Sequence, residues 1–306
     1  MKSYFDGKRA LVVINPISGK RTTKTQLFDI TDLFSVNGLV TTVYVTRCKG
    51  DATDIVSRWA GDYDVVVCRG GDGTFNEIVN GLMTMPAEKR PLVGYIPAGS
   101  TNDLARTLQI PINSNAEAID VILNGQPLWQ DMGLFNNEVY WCYTASFGAF
   151  VDISYNTPQK LKNRMGRMAY FAQAPVAVRG IHPIQMRVRT AEGFEAEGRY
   201  IFCAVSNSTS IAGTLKLSRS VVGLNDGRLE MILVRYPNSA GELLSSVAKL
   251  AGKQFNKDDN VRLIQTRRVE FFFDSPEPWT VDGEDAGKHT HVVVENVHNA
   301  VQVFRR

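Results

Sequence analysis

The residues best suited to chemistry in this chain stand in "GGDGT", Gly70–Thr74. The loop follows the strand formers "DVVVC" and precedes the helical pattern "FNEIVNGL". Glycines at such a junction let the backbone turn sharply and approach a ligand closely. The amides that open the next helix point outward, and the helix dipole favours an anion there. Phosphate fits that loop. Asp72 does not bind phosphate directly, because like charges repel. It suits a loop that holds Mg2+ bridged to phosphate, or a carboxylate that takes the proton of an attacking hydroxyl. The plainer alternative is a turn in which Asp72 caps the helix.

Two more clusters share this character. "NPISGKRTTK" (Asn15–Lys24) ends a strand and opens a helix. It is not a Walker A loop: Ile14 stands where the first glycine belongs, and Arg21 replaces the Ser or Thr. Lys20, Arg21 and Lys24 are cations at a helix start, a place that suits them only when an anion is present. In "PAGSTNDLART" (Pro97–Thr107), Gly99, Ser100 and Thr101 offer backbone and hydroxyl donors to phosphate. Asn102 or Asp103 there either caps a helix or reaches the reacting centre.

The elements that position these clusters read as alternating strand and helix over the first 110 residues. Strands are expected at Arg9–Ile14, Leu39–Thr46, Asp64–Cys68 and Pro91–Pro97. "TKTQLFDITDLFSVNG" spaces Leu27, Ile30, Leu33 and Phe34 for an amphipathic helix that stops at Asn37-Gly38. Helices are also expected from Asp51, after Gly70–Thr74, and near Ser100 or Asn102. Alternation implies a parallel sheet with right-handed crossovers, and ligands of such sheets bind beyond the carboxyl ends of the strands. All three glycine clusters fall at those ends.

After about Asp131 the pattern becomes antiparallel and β-rich, through segments such as "GRYIFCAVSNS", "VRLIQTRRVEFFFD", "HVVVENV" and "AVQVF". Helices are expected at Thr157–Val178 and at Ser239–Gly252, the latter with Ser239 as N-cap and Glu242 three residues on. The pattern therefore divides into an α/β half over residues 1–131 and an antiparallel β-rich half after it.

Bulk properties limit the partners. The chain has 306 residues, 44% hydrophobic and 21% charged, with a net charge of +3. That size suits two domains. Mild basicity fits an anionic ligand or membrane surface and does not call for nucleic acid. The four cysteines include no CxxC pair and read as reduced thiols of a cytosolic protein. No signal peptide and no run of 18 apolar residues is visible, so lipid would be met from the aqueous side.

"NPISGK", "GGDGTFNEIVNGL" and "PAGSTNDLART", in this order and spacing, resemble the catalytic domain of the diacylglycerol kinase and sphingosine kinase family, nearest to the soluble bacterial lipid kinases. The resemblance continues through "DMG" (Asp131–Gly133), "SFGAFVD" (Ser146–Asp152), "LNDGRLEMILV" (Leu224–Val234) and "WTVDGE" (Trp279–Glu284), nearly the whole chain. It implies an α/β domain over residues 1–131, like that of NAD kinase and phosphofructokinase, joined to a β-sandwich domain over 132–291, with ATP bound between them and the last segment, 292–306, returning to the first domain. It also implies transfer of the ATP γ-phosphate to a lipid hydroxyl, with Mg2+ required. Diacylglycerol giving phosphatidic acid is the expected reaction.

By the same resemblance, Gly70, Gly71, Asp72, Gly73 and Thr74 form the nucleotide loop. Asn15, Ser18 and Lys20 lie on the neighbouring strand end, with Gly99, Ser100 and Thr101 on the next. Asp103 matches an acidic residue near the active site. Glu284 matches a catalytic acid, and Asp72 and Glu284 compete as general base. Asp226 matches a structural or accessory Mg2+ position, and Asp131 another acidic residue of the cleft. Asp226-Gly227 and Asp282-Gly283 also read as hairpin turns. "SFGAFVDIS" is looser than the family's glycine-rich segment, so Asp152 receives no role. The basic residues of Thr157–Val178 suit either membrane docking or a solvated helix face. The enzyme is expected in the cytoplasm, peripheral at the inner membrane face, and pairing of two copies stays open. The alternatives are an NAD kinase, which shares GGDGT and the following Asn76-Glu77, and a nucleotide- or lipid-sensing module without turnover.

Overall fold

The computed structural model describes residues 4–18, 24–148, 182–211 and 215–306. The helix expected at Thr157–Val178 lies outside them, as do Lys20 and Asp152. In the first half, β1 (Arg9–Ile14), β2 (Val40–Val45), β3 (Val65–Gly70) and β4 (Leu92–Pro97) alternate with α1 (Lys24–Val36), α2 (Asp51–Trp59) and α3 (Asp72–Met83). Then come α4 (Asp103–Thr107) and α5 (Asn115–Asn124), of which α5 was not legible in the sequence pattern. Strands β2, β1, β3 and β4 pair in parallel in that order. Every residue of β3 is buried, as expected of a strand covered on both faces. Helix α1 stops at Gly38, whose φ of 87° is the left-handed conformation that glycine adopts without strain.

The second half contributes β5 (Gln126–Phe135), β6 (Val139–Trp141), β7 (Thr144–Gly148), β8 (Ile184–Thr190) and β9 (Glu195–Ser206). It continues with β10 (Ser210–Ile211), β11 (Leu215–Lys216), β12 (Leu229–Arg235), α6 (Ala240–Ala251), β13 (Val261–Thr266), β14 (Arg268–Val281) and β15 (Glu284–Arg305). Ser239 caps α6 as expected: its hydroxyl accepts from the Glu242 amide at 3.2 Å. The "HVVVENV" and "AVQVF" segments form one long strand, β15, with a register break between Val297 and Val301.

That strand joins the two halves. Its Val303 pairs in parallel with Val93 of β4, while its first part pairs antiparallel with β14. Val292 and Val294 pack in the sandwich core with Trp141, Phe147, Phe271 and Trp279. Ala300, Val301, Val303 and Phe304 pack in the α/β core. The sheet therefore runs without interruption in the order β13-β12-β9-β7-β14-β15-β4-β3-β1-β2. The carboxyl ends of β1 and β3 face the turn between β14 and β15 across a cleft.

Candidate active site

The cleft encloses a cavity of ≈ 500 Å3. Asn15 to Ser18 after β1 and Gly71, Gly73 and Thr74 at the start of α3 form one wall. Asp282 and Glu284 from the β14–β15 turn form the other. Residues more than 200 positions apart in sequence thus share one cavity, as the strand-end argument requires.

Glycine shapes the first wall. A Cβ on Gly70 would overlap the Thr74 side chain at 2.6 Å. A Cβ on Gly99 would lie 2.8 Å from the Gly71 Cα, so the β3 and β4 loops touch only because both residues lack side chains. Gly73 is different: a Cβ there would meet nothing within 4 Å. Its backbone borders open cavity where the first amides of α3 present donors and positive dipole, which is the geometry of an anion cradle. Asn15 fixes the adjacent loop. Its amide donates to Thr74 Oγ1 at 3.0 Å and its Oδ1 accepts from the Ile17 amide at 3.1 Å.

Asp72 is the first residue of α3, and Gly71 holds the N-cap position. The capping alternative thus gives way to a different role. Asp72 Oδ1 accepts from the Tyr95 hydroxyl at 3.1 Å, and Oδ2 accepts from the Asp103 amide at 2.9 Å. Burial pushes its carboxyl up to about 6, assisted by the charges of Asp103 and Asp282 and opposed by those two hydrogen bonds. Asp103 is buried at the start of α4, and its Oδ1 accepts from the Ser210 hydroxyl at 2.6 Å. The two acids are neighbours, and a hydroxyl from the second half of the chain anchors Asp103.

Glu284 lines the cavity rim, exposed, and its Oε2 pairs with Lys49 Nζ at 2.7 Å across the cleft. Asp282 and Gly283 have φ of 49° and 80°, and they form the expected two-residue turn between β14 and β15. Asp282 does more than turn the chain. Its carboxylate accepts from the amides of Cys142, Tyr143 and Thr144 at 2.7 to 3.0 Å. It also accepts from the Asn76 side chain of α3 at 2.9 Å, which ties α3 to the sandwich. Burial again dominates, and the carboxyl rises to about 6. Lys49, Asn76, Tyr95, Ser210 and Asp282 were absent from the expected site. Only the Asn76-Glu77 pair and the "VDGE" turn gave any signal.

The remaining expected residues divide. Ser18 lines the cavity, and Gly99 lies against Gly71. Ser100 and Thr101 are exposed on the β4 loop and do not line this cavity, and Asp72 and Asp103 stand beside its Gly71–Gly73 wall without lining it. Asp226 stands apart from the cleft on an exposed turn before β12, its Oδ1 accepting from the Arg228 amide at 3.0 Å. That turn is not a hairpin, because β12 pairs with β9 and β13. Fully buried Asp131 accepts from the Gly227 and Asn299 amides, both at 2.7 Å, and contacts His298 Nδ1 at 2.9 Å. It thereby pins the Asp226 turn to the register break in β15. Near Asp226 lies buried Glu230, whose Oε2 has no partner and whose carboxyl burial pushes up to about 8.

Comparison with known proteins places the chain by family and fold. The diacylglycerol kinase catalytic domain matches residues 9–135, and the YegS C-terminal NAD kinase beta sandwich-like domain matches residues 146–305. A diacylglycerol kinase of Bacillus subtilis (strain 168) is 31% identical over 298 residues, 94% of this chain and 96% of that protein. The crystal structure of a diacylglycerol kinase from Bacillus anthracis str. Sterne superposes with a TM-score of 0.74 at 21% identity, covering 98% of this chain and 97% of that one. Yeast NADH kinase superposes at 0.56 with 13% identity, over 97% and 83% of the two chains, a likeness of fold alone. With its GGDGT loop and VDGE turn facing one cleft, the chain belongs to the diacylglycerol kinase family of lipid kinases.

Proposed function

We propose that this enzyme transfers the γ-phosphate of Mg-ATP to the free hydroxyl of diacylglycerol, giving phosphatidic acid, at the cytoplasmic face of a membrane. The observation that carries this reading is the shared cavity, with Gly71, Gly73 and Thr74 at the helix start on one wall and Glu284 on the other. The curated relatives named diacylglycerol kinase support the acceptor. Among the described residues no helix is long and apolar enough to cross a membrane, so the acceptor would be reached at the lipid surface.

In this reading the triphosphate lies on the α3 amides beside Asn15 and Ser18, with Gly73 leaving room for it. Mg2+ bound with the nucleotide supplies charge neutralisation on the transferring phosphoryl group. The donor set fits such a hard cation, since Glu284 places a carboxylate on the wall opposite the cradle. Asp72 takes the hydroxyl proton of the acceptor. A carboxyl lifted to about 6 is a better base than an ordinary one and is still ionised at neutral pH. Asp103 and Tyr95 hold that carboxylate in place. Asp226 would hold an accessory Mg2+ at the turn before β12, with the unpartnered Glu230 Oε2 nearby as a second oxygen donor.

The test is a substrate panel. Purified protein with Mg2+ and γ-labelled ATP is offered diacylglycerol in mixed micelles, with sphingosine and NAD in parallel. Label in phosphatidic acid is the expected result. Label in NAD alone, or in sphingosine alone, would overturn the acceptor, and nucleotide binding without any transfer would favour a sensing module.

A further inference from the structure

A second cavity, of ≈ 490 Å3, lies between α4 and the β10–β11 hairpin and shares no lining residue with the nucleotide cleft. Four cations line it, Arg106, Lys216, Arg219 and Lys253, and no acid does. Among the described residues none of the four forms an ion pair. Four like charges around one hollow repel one another unless an anion enters. The residues just past the ends of α4 and α6 also line it, and the partial negative charge of a helix end stabilises nearby cations. Those fractional charges do not offset four whole ones.

Backbone geometry points the same way. Gln109 and Lys253 both line the cavity with φ of 60° and 55°. Each follows a helix end, where glycine is the usual left-handed residue. A side chain there costs about 1 kcal/mol or more and is kept where it has a use. The floor is apolar on one side, where Ile110 and Leu217 are buried. Head-end charge beside an apolar wall matches an amphiphile with an anionic head.

We propose that this cavity binds a phosphomonoester, with Lys216, Arg219, Lys253 and Arg106 on the phosphate and the apolar wall against an attached acyl chain. Phosphomonoester oxygens carry nearly two negative charges near neutral pH and accept several charge-assisted hydrogen bonds. The phosphorylated lipid made in the cleft is the matching ligand, a step that rests on the proposed function. Ser210 lines this cavity and also donates to Asp103, so the binding site adjoins the catalytic carboxylates through one hydroxyl.

The experiment measures binding without turnover, by titration calorimetry on the full chain in the absence of ATP. The probes are soluble dioctanoyl phosphatidic acid and glycerol 3-phosphate. Dioctanoyl phosphatidic acid is expected to bind, and the triple variant Lys216→Gln, Arg219→Gln, Lys253→Gln to weaken it by about tenfold or more while ATP affinity stays within twofold. Glycerol 3-phosphate is expected to bind about tenfold more weakly than the lipid, for want of the apolar contact. Equal affinity of the two probes would overturn the lipid and leave a free phosphomonoester as ligand. Unchanged phosphatidic acid affinity in the triple variant, or its displacement by ATP, would overturn the site itself. Neither outcome depends on which lipid the kinase phosphorylates.

Discussion

The amide of Asp103 donates to Oδ2 of Asp72 at 2.9 Å, so the two acids of the candidate site are hydrogen-bonded neighbours on different strand ends. Asp103 is held in turn by Ser210 from the sandwich half. Ser210→Ala removes a donor from a buried carboxylate. We expect a loss of about 1 to 3 kcal/mol in denaturant unfolding and a fall in kcat larger than the change in KM for ATP. Equal stability with unchanged kcat would show that Ser210 positions nothing.

Asp282 ties α3 to the second half through Asn76 and gathers three backbone amides of that half. Its loss would leave three buried amides without an acceptor and take one of two oxygen acceptors from the Asn76 side chain, which also donates to the Tyr140 carbonyl at 2.9 Å. Asp282→Ala is expected to destabilise by about 3 to 5 kcal/mol, with the single variant Asn76→Ala losing about 1 to 2. Chemical denaturation measures both, and a cost below 1 kcal/mol for Asp282→Ala would contradict the role.

Gly73 separates a folding role from a binding role. Open space surrounds its missing side chain, and it sits inside a helix, where alanine is the better former by about 1 kcal/mol. Gly73→Ala should therefore melt no lower than the parent and bind ATP about tenfold or more weakly. Unimpaired ATP binding would mean that the nucleotide does not use this space.

Much of this site was legible because it rests on short-range patterns. Strand formers followed by glycines located the carboxyl edge of β3, and the same grammar marked β1 and β4. The ties between the halves were not legible. Lys49 meets Glu284 across 235 positions, and Ser210 meets Asp103 across 107, and neither pair carries a local signal. Asp282 read as a turn residue, which it is, because nothing in "VDGE" shows the three amides that converge on it. The continuity of β15 was hidden for a similar reason: its polar middle, Glu295 to Asn299, breaks the apolar pattern where the strand passes from one core to the other.

Asp226 makes only a local hydrogen bond to Arg228. Asp226→Ala should lower stability by about 1 kcal/mol or less without Mg2+ and should abolish the rise in melting temperature that Mg2+ gives the parent. A rise that persists in the variant would place the ion elsewhere.

The pH dependence of Asp72 has a definite sign. Its carboxyl titrates near 6 in the folded chain against an ordinary value of 3.8. The folded state thus holds the proton more tightly, and the contribution of Asp72 to stability is present below about pH 4 and lost as pH rises through 6. Asp72→Asn should match the parent near pH 4 and exceed it at pH 7 by on the order of 1 kcal/mol, after allowing for solvent at the edge of the carboxylate. Activity of the parent should run the other way, rising through pH 6 as the base ionises.

The most direct test of the account is transfer of label from γ-labelled ATP to diacylglycerol by Asp72→Asn, with ATP affinity measured alongside. A fall in turnover of about a thousandfold or more, with ATP bound within a few-fold of the parent and melting not lowered at pH 7, is the predicted result. Retention of a tenth or more of the parent's turnover would contradict it, and the acceptor's proton would then have to leave by way of Glu284.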